Sequence, residues 1–148
     1  MKGRDEMSVA EDILEIQMLP QRYADAVMRH NGDDWQATWA KDGEWYLREE
    51  PVRGRENIRK TWEAAMAGFP FAVFLVQPAI VEVNGDKGTC RSYVTEILGT
   101  TDGTSFRVYG CYNDEVVRED GKWKFKSRRY ARLYQGPVDL SGQKFDYS

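Results

Sequence analysis

The chain has 148 residues, a formal net charge of −3, 41% hydrophobic residues and 30% charged residues. This balance fits one globular domain, 1–148, that can bury a core without disulfides or metals. The mild acidity gives no general affinity for nucleic acid, no apolar run reaches membrane-spanning length, and one histidine with two cysteines shows no metal-ligand spacing.

In chain order, Ser8 to Glu11 reads as a capping box that starts a helix. Pro20 is expected to kink or restart it. Leu19, Tyr23, Ala26, Val27 and His30 then form one helical stripe, with Asn31-Gly32 as a left-handed stop. Asp33 or Asp34 should cap a short second helix carrying Trp35 and Trp39. A strand over 43–48 is broken by Glu49-Glu50-Pro51, and a third helix runs from Arg55 to Ala67 with Ile58, Trp62, Ala65 and Met66 buried. Beyond Gly68 and Pro70 the pattern is extended: 71–77, 80–83, 87–98, 105–118 and 123–134, with turns at Asn84-Gly85, Thr101-Asp102-Gly103 and Asp120-Gly121. The fold class is therefore α+β: a cone-shaped roll with three N-terminal helices packed on a strongly curved antiparallel sheet. Its core spans about 8–136, and 137–148 is a polar tail ordered only by docking.

Cys90 and Cys111 fall in predicted strands, and residues 1–6 lack the apolar core of a signal peptide. A cytoplasmic protein with reduced, buried thiols is the expectation. Five Trp and eight Tyr suit a concave ligand cavity and an ordinary core equally.

The last strand poses the functional question. Trp123 and Phe125 alternate with Lys124, Lys126, Arg128, Tyr130, Arg132 and Tyr134. A wholly solvated basic face explains this pattern. A bulge near Ser127 explains it differently, turning the lysines outward and the arginines inward. A third possibility is that the lysines sit where the barrel opens to water. The acids Asp114, Glu115, Glu119 and Asp120 on the adjacent strand and turn offset the basic run, and cross-strand ion pairs are expected.

The element order, together with Arg22-Tyr23, the strand entry Asp42-Gly43-Glu44-Trp45, Val52-Arg53-Gly54 and Asp120 to Phe125, resembles the nuclear transport factor 2-like superfamily, and within it the SnoaL-like group. That group is similar to scytalone dehydratase, bile acid 7α-dehydratase, ketosteroid isomerase and a bacterial dehydrochlorinase. The resemblance implies a small-molecule substrate or ligand, no cofactor, no nucleic acid or membrane partner, and a homodimer or higher homo-oligomer. It places Tyr23 where relatives keep a pocket tyrosine, and Trp45 where the dehydrochlorinase has a pocket tryptophan. Arg132 matches a terminal-strand arginine through its Arg-x-Tyr spacing, and Glu96 lies near an acidic position.

The family's usual Asp–His base is missing. Met28 stands at the helix aspartate position, and 73–77 offers Gln77 in place of histidine. The isomerase's two acids correspond to Leu47 and Asn113. Neither thioether nor amide moves a proton near neutral pH. The candidate catalytic set is Tyr23, Glu96 and Arg132, with Met28, Trp45, Trp62, Gln77, Asn113, Arg128 and Tyr130 as substrate contacts. The leading expectation is a dehydratase-like lyase or isomerase acting on a cyclic hydroxylated or carbonyl substrate. Its rivals are a non-catalytic binding or assembly module, and a structural subunit resembling the small subunit of ring-hydroxylating dioxygenases.

Overall fold

The computed structural model describes residues 2–146. Three helices, α1 (Lys2–Arg29), α2 (Gly32–Gln36) and α3 (Arg55–Ala67), precede or interleave with seven strands: β1 (Trp39–Tyr46), β2 (Val52–Arg53), β3 (Phe71–Val76), β4 (Ile80–Asn84), β5 (Lys87–Gly99), β6 (Ser105–Glu119) and β7 (Lys122–Pro137). They form one curved, unclosed sheet in the order β2-β1-β7-β6-β5-β3, with β4 also on β5. All pairs are antiparallel except β1–β7, so the sheet is mixed. The parallel pair arises because β1 is separated from β7 by most of the chain and so is not tied to it by a hairpin.

α1 passes through Pro20 unbroken and begins before the Ser8 capping box. Proline inside a helix costs about 3 kcal/mol. Burying Ile16, Leu19, Tyr23 and Val27 on the same stripe returns roughly 1.5–3 kcal/mol each, so packing wins. The helix stops one residue earlier than its Asn31-Gly32 signal. His30 takes the left-handed conformation (φ 55°), its N–H donates to the Val27 carbonyl, and the Asn31 N–H donates to the Ala26 carbonyl. That bonding is a Schellman motif. Asn31 rather than either aspartate caps α2, accepting from the Asp34 N–H at 3.0 Å. Trp39 starts β1 instead of ending α2, because the Thr38 hydroxyl bonds back to the Trp35 carbonyl (2.7 Å) and closes the helix first.

α1 also covers the broken sheet edge. Gln17 and Gln21 donate side-chain amides to the carbonyls of Ala79 (3.2 Å) and Val76 (3.4 Å), where Pro78 separates β3 from β4. α3 lays Ile58, Trp62 and Met66 over the other side of the concave face, and Trp62 stacks on Trp35 at 4.6 Å between ring centroids.

The β6–β7 ladder settles how the last strand faces. Glu115 pairs with Ser127 and Val116 with Phe125, leaving Lys126 as an extra residue. This bulge reverses the facing of β7. Lys126 turns out to bind Asp42 (2.7 Å), and Lys124 reaches the Ala37 carbonyl. Arg128 turns in, 1% exposed, and makes two bonds to Asp114 at 2.8 and 3.1 Å. The guanidinium also lies over the rings of Tyr112 (3.8 Å), Phe125 (4.1 Å) and Tyr23 (4.5 Å). Asp114, grouped by sequence with surface acids, is thus an interior counter-ion. The surface ion pairs involve other residues, such as Arg118 with Asp12 and Asp86.

Burial works against both charges and raises the Asp114 carboxyl, but on Arg128 the nearby carboxylate outweighs it and raises the arginine's pKa, so the guanidinium keeps its charge. Removing one partner of a buried ion pair typically costs about 3–5 kcal/mol, whereas replacing both with apolar groups is often close to neutral. Asp114→Asn should therefore lower unfolding stability by about 3–5 kcal/mol in urea titration, and Asp114→Leu combined with Arg128→Met should recover most of it.

Candidate functional site

Inward-facing residues of β5, β6 and β7 line up in rows across the sheet. From the Asn84-Gly85 hairpin outward these are Gly88–Val116–Phe125, Cys90–Asp114–Arg128, Ser92–Tyr112–Tyr130, Val94–Gly110–Arg132 and Glu96–Val108–Gln135. A second extra residue, Leu133, lets Gln135 rather than Tyr134 complete the last row. The first rows are packed solid by α1. The last three open into a cavity of about 420 Å³ between sheet and helices.

Its apolar wall is Val27, Trp45, Trp62, Met66, Phe69, Phe74, Leu98, Phe106 and Val108, and its polar groups are Tyr23, Glu96, Tyr112, Tyr130, Arg132, Gln135 and Arg48. Tyr23 reaches it from α1, with its ring 5.6 Å from Phe74 and 6.2 Å from Tyr112. The Trp45 indole N–H donates to the Tyr112 hydroxyl at 3.4 Å. Gly110 has a steric role. A Cβ there would stand 2.4 Å from the Tyr130 ring, so its absence lets that ring lie across β6. The Tyr130 hydroxyl is buried within reach of the charges of Glu96 and Arg132, both of which act on it.

Glu96 is held between Phe74 of β3 and Val108 of β6. Burial pushes its carboxyl up to about 7 from an ordinary 4.5, against the opposing pull of Arg132 and Tyr130. Burial likewise raises Tyr23 to about 12 and Tyr112 well above 10, so both remain hydroxyl donors at neutral pH. A carboxyl near 7 exchanges protons readily in either direction at that pH. Such a group in a cleft is a functional candidate.

Of the candidates read from sequence, Tyr23, Trp45, Trp62, Glu96, Tyr130 and Arg132 meet at this cavity. The other four lie elsewhere. Arg128 is sealed beneath it with Asp114. The Met28 sulfur accepts from the Phe74 N–H at 3.3 Å, between α1 and β3. Gln77 is exposed past the end of β3. Asn113 faces out of the sheet, its amide 3.8 Å from the Cys111 sulfur. Among the described residues no three His, Cys, Asp or Glu side chains gather to hold a metal ion. Sequence reasoning missed Asp114, Gly110 and Arg48. The first two had a signal, because Val108, Gly110, Tyr112, Asp114 and Val116 share one parity and hence one face.

Because folding raises the Glu96 pKa, its contribution to stability is full below 4.5 and is lost as pH rises through about 7. Glu96→Gln should therefore match the parent in thermal unfolding near pH 4.5 and exceed it at pH 8. Carboxyl-carbon NMR should place the Glu96 titration at about 7, and Arg132→Gln should move it higher.

Comparison with known proteins fits this geometry. Three solved structures superpose over nearly the whole chain. One is a hexachlorocyclohexane dehydrochlorinase, LinA type 2, with TM-score 0.83, 18% identity, and coverage of 94% of this chain and 97% of that one. A second, provisionally assigned as a scytalone dehydratase of Novosphingobium aromaticivorans, gives TM-score 0.77, 22% identity and coverage of 95% and 93%. A third, provisionally assigned as an aromatic ring hydroxylase of the same species, gives 0.79, 26%, and 87% and 94%. No curated protein matches significantly. The SnoaL-like domain model matches residues 8–129, and the chain belongs to the SnoaL-like domain family.

Proposed function

We propose that the protein is a cofactor-independent lyase or isomerase that acts on a cyclic substrate bearing a carbonyl and, for the lyase step, a β-hydroxyl. The observation that carries this reading is Glu96, a carboxyl titrating near 7 in an otherwise largely apolar cavity lined also by phenol donors and a guanidinium. The Glu96 carboxylate takes the proton from the carbon next to the carbonyl. Those electrons form an enolate, whose oxygen accepts a hydrogen bond from Tyr23 and feels the charge of Arg132. The enolate then collapses, expelling the β-hydroxyl, and Glu96 returns its proton to that oxygen. The products are an enone and one water. Trp45, Trp62 and Tyr130 hold the ring. In an isomerisation the proton is returned to another carbon instead.

Met28 stands where relatives place the aspartate of an Asp–His base, residues 73–77 contain no histidine, and neither methionine nor glutamine moves a proton near neutral pH. This favours a second reading, a non-catalytic ligand-binding or assembly module with the same cavity. A direct assay separates the two. 3-Hydroxy-1-tetralone is a cyclic β-hydroxy ketone that loses water to give fluorescent 1-naphthol. Turnover is expected to rise with pH through about 7, as Glu96 ionises. Glu96→Gln should cost about 10²–10⁴-fold and Tyr23→Phe about 10²-fold. Activity intact in both variants would refute the mechanism, and a bound ligand recovered unchanged would favour the binding module.

As a partner, a second copy of this chain fits the outer sheet face. Leu75, Ile80, Tyr93 and Tyr109 are 39–60% exposed there, an apolar patch of the kind that marks association. Tyr93→Glu with Tyr109→Glu should convert a homodimer or higher homo-oligomer to monomer in light scattering.

A further inference from the structure

Three charged side chains line the cavity, and their arrangement is lopsided. Glu96 lies in the sheet between β3 and β6. Arg132 comes from the row beside it on β7, and Arg48 from the segment just past β1, where Leu47 also lines the cavity. Both arginines are exposed, which places them at the rim. Neither belongs to an ion pair among the described residues, although Arg29, Arg53, Arg59, Arg118 and Arg128 all do. Among the described residues, two guanidiniums without a salt-bridge partner therefore share the rim with one acid, Glu96, which feels Arg132 but is held back from full charge by burial, in a pocket whose walls are mainly aromatic and aliphatic.

A neutral apolar ligand entering this space strips water from both guanidiniums and gives nothing in return, which is unfavourable. A ligand with an anionic group at its outer end replaces that water with charge-assisted bonds. The forked N–H geometry of arginine suits a carboxylate in particular. The remaining volume, within about 420 Å³, holds a bicyclic ring against Trp62, Phe69 and Phe106.

We propose that the substrate carries a carboxylate, clamped by Arg48 and Arg132 at the cavity rim, with its ring system directed inward toward Glu96. This rests on the reading that the cavity is the substrate site, and it adds the substrate's charge and its orientation. Arg48 becomes a specificity-determining residue, and Arg132 holds the carboxylate in addition to its effect on Glu96.

The test compares 2-naphthoate with its neutral, nearly isosteric partner 2-naphthamide by isothermal titration calorimetry at pH 7. The naphthoate is expected to bind about tenfold or more tightly than the amide, and Arg48→Gln and Arg132→Gln should each remove most of that preference while moving amide binding by less than about twofold. Arg91→Gln, on the outer sheet face, should leave the preference unchanged. Equal affinity for the two ligands overturns the proposal, as does a preference that Arg91→Gln weakens as much as Arg48→Gln does. Failure of naphthoate to bind, with 3-hydroxy-1-tetralone still converted, overturns the clamp but not the catalytic reading. A clear naphthoate preference without turnover of the uncharged tetralone supports the clamp, because a neutral substrate lacks the group that the arginines hold.

Discussion

A guanidinium that is 1% exposed must have its counter-charge within bonding distance, and in this protein that requirement fixes the neighbouring geometry. Arg128 reaches Asp114 only because the Lys126 bulge turns β7 over between Phe125 and Arg128. The same inversion turns Tyr130 and Arg132 into the cavity. The pair lies beneath Tyr23 and Tyr112, so its charge also meets the faces of the rings that form the cavity floor. One local irregularity in strand pairing thus sets the fold's interior charge and the site's polar wall. A regular β7 would bury Lys124 and Lys126 with Arg128, and such a cluster of like charges would not be sustained in an apolar core.

The cavity above this floor combines a largely apolar wall with a few polar groups in distinct environments. Its polar members are separated by function. Tyr23 and Tyr112 are held as donors by burial, Glu96 is poised near neutrality by the same desolvation, and the arginines stand at the rim. Met28 is bonded to the backbone of Phe74 and Gln77 faces solvent, so neither side chain offers the cavity a proton-transfer group. Any proton chemistry would pass through the opposite wall of the cavity, from the sheet rather than from the helix.

Much of the architecture was legible in the sequence, because its signals are local. The stripe of α3 (apart from Ala65, which is exposed), the Asn84-Gly85 and Asp120-Gly121 turns and the long alternating strands reappear at nearly the expected residues. The Pro20 expectation fails because packing along α1 overrides local propensity, and the Trp39 expectation because the Thr38 hydroxyl closes α2 before it. Glu96 entered the candidate set through the family resemblance rather than through alternation, which left its facing open. The arginine face of β7 was undecidable, since a bulge is invisible in a two-residue period. Arg48 lies beyond the end of its strand, in a segment without periodicity, so nothing in the sequence pointed it at the cavity. Asn113 fails for the converse reason, because family alignment placed it without regard to the parity of β6.

The row arrangement across β5, β6 and β7 has a consequence for how this protein can change. Successive rows stand two residues apart, about 7 Å along the strands, so the Arg128–Asp114 row and the Gln135 row are separated by about 20 Å. Substitutions that far apart act almost independently on folding free energy. The outermost rows can therefore vary, exchanging one ligand shape for another, without disturbing the charge pair that holds the interior together. A scaffold divided in this way offers one end for diversification and keeps the other under constant constraint, and directed evolution of new substrate ranges would best confine its libraries to positions 48, 108 and 135.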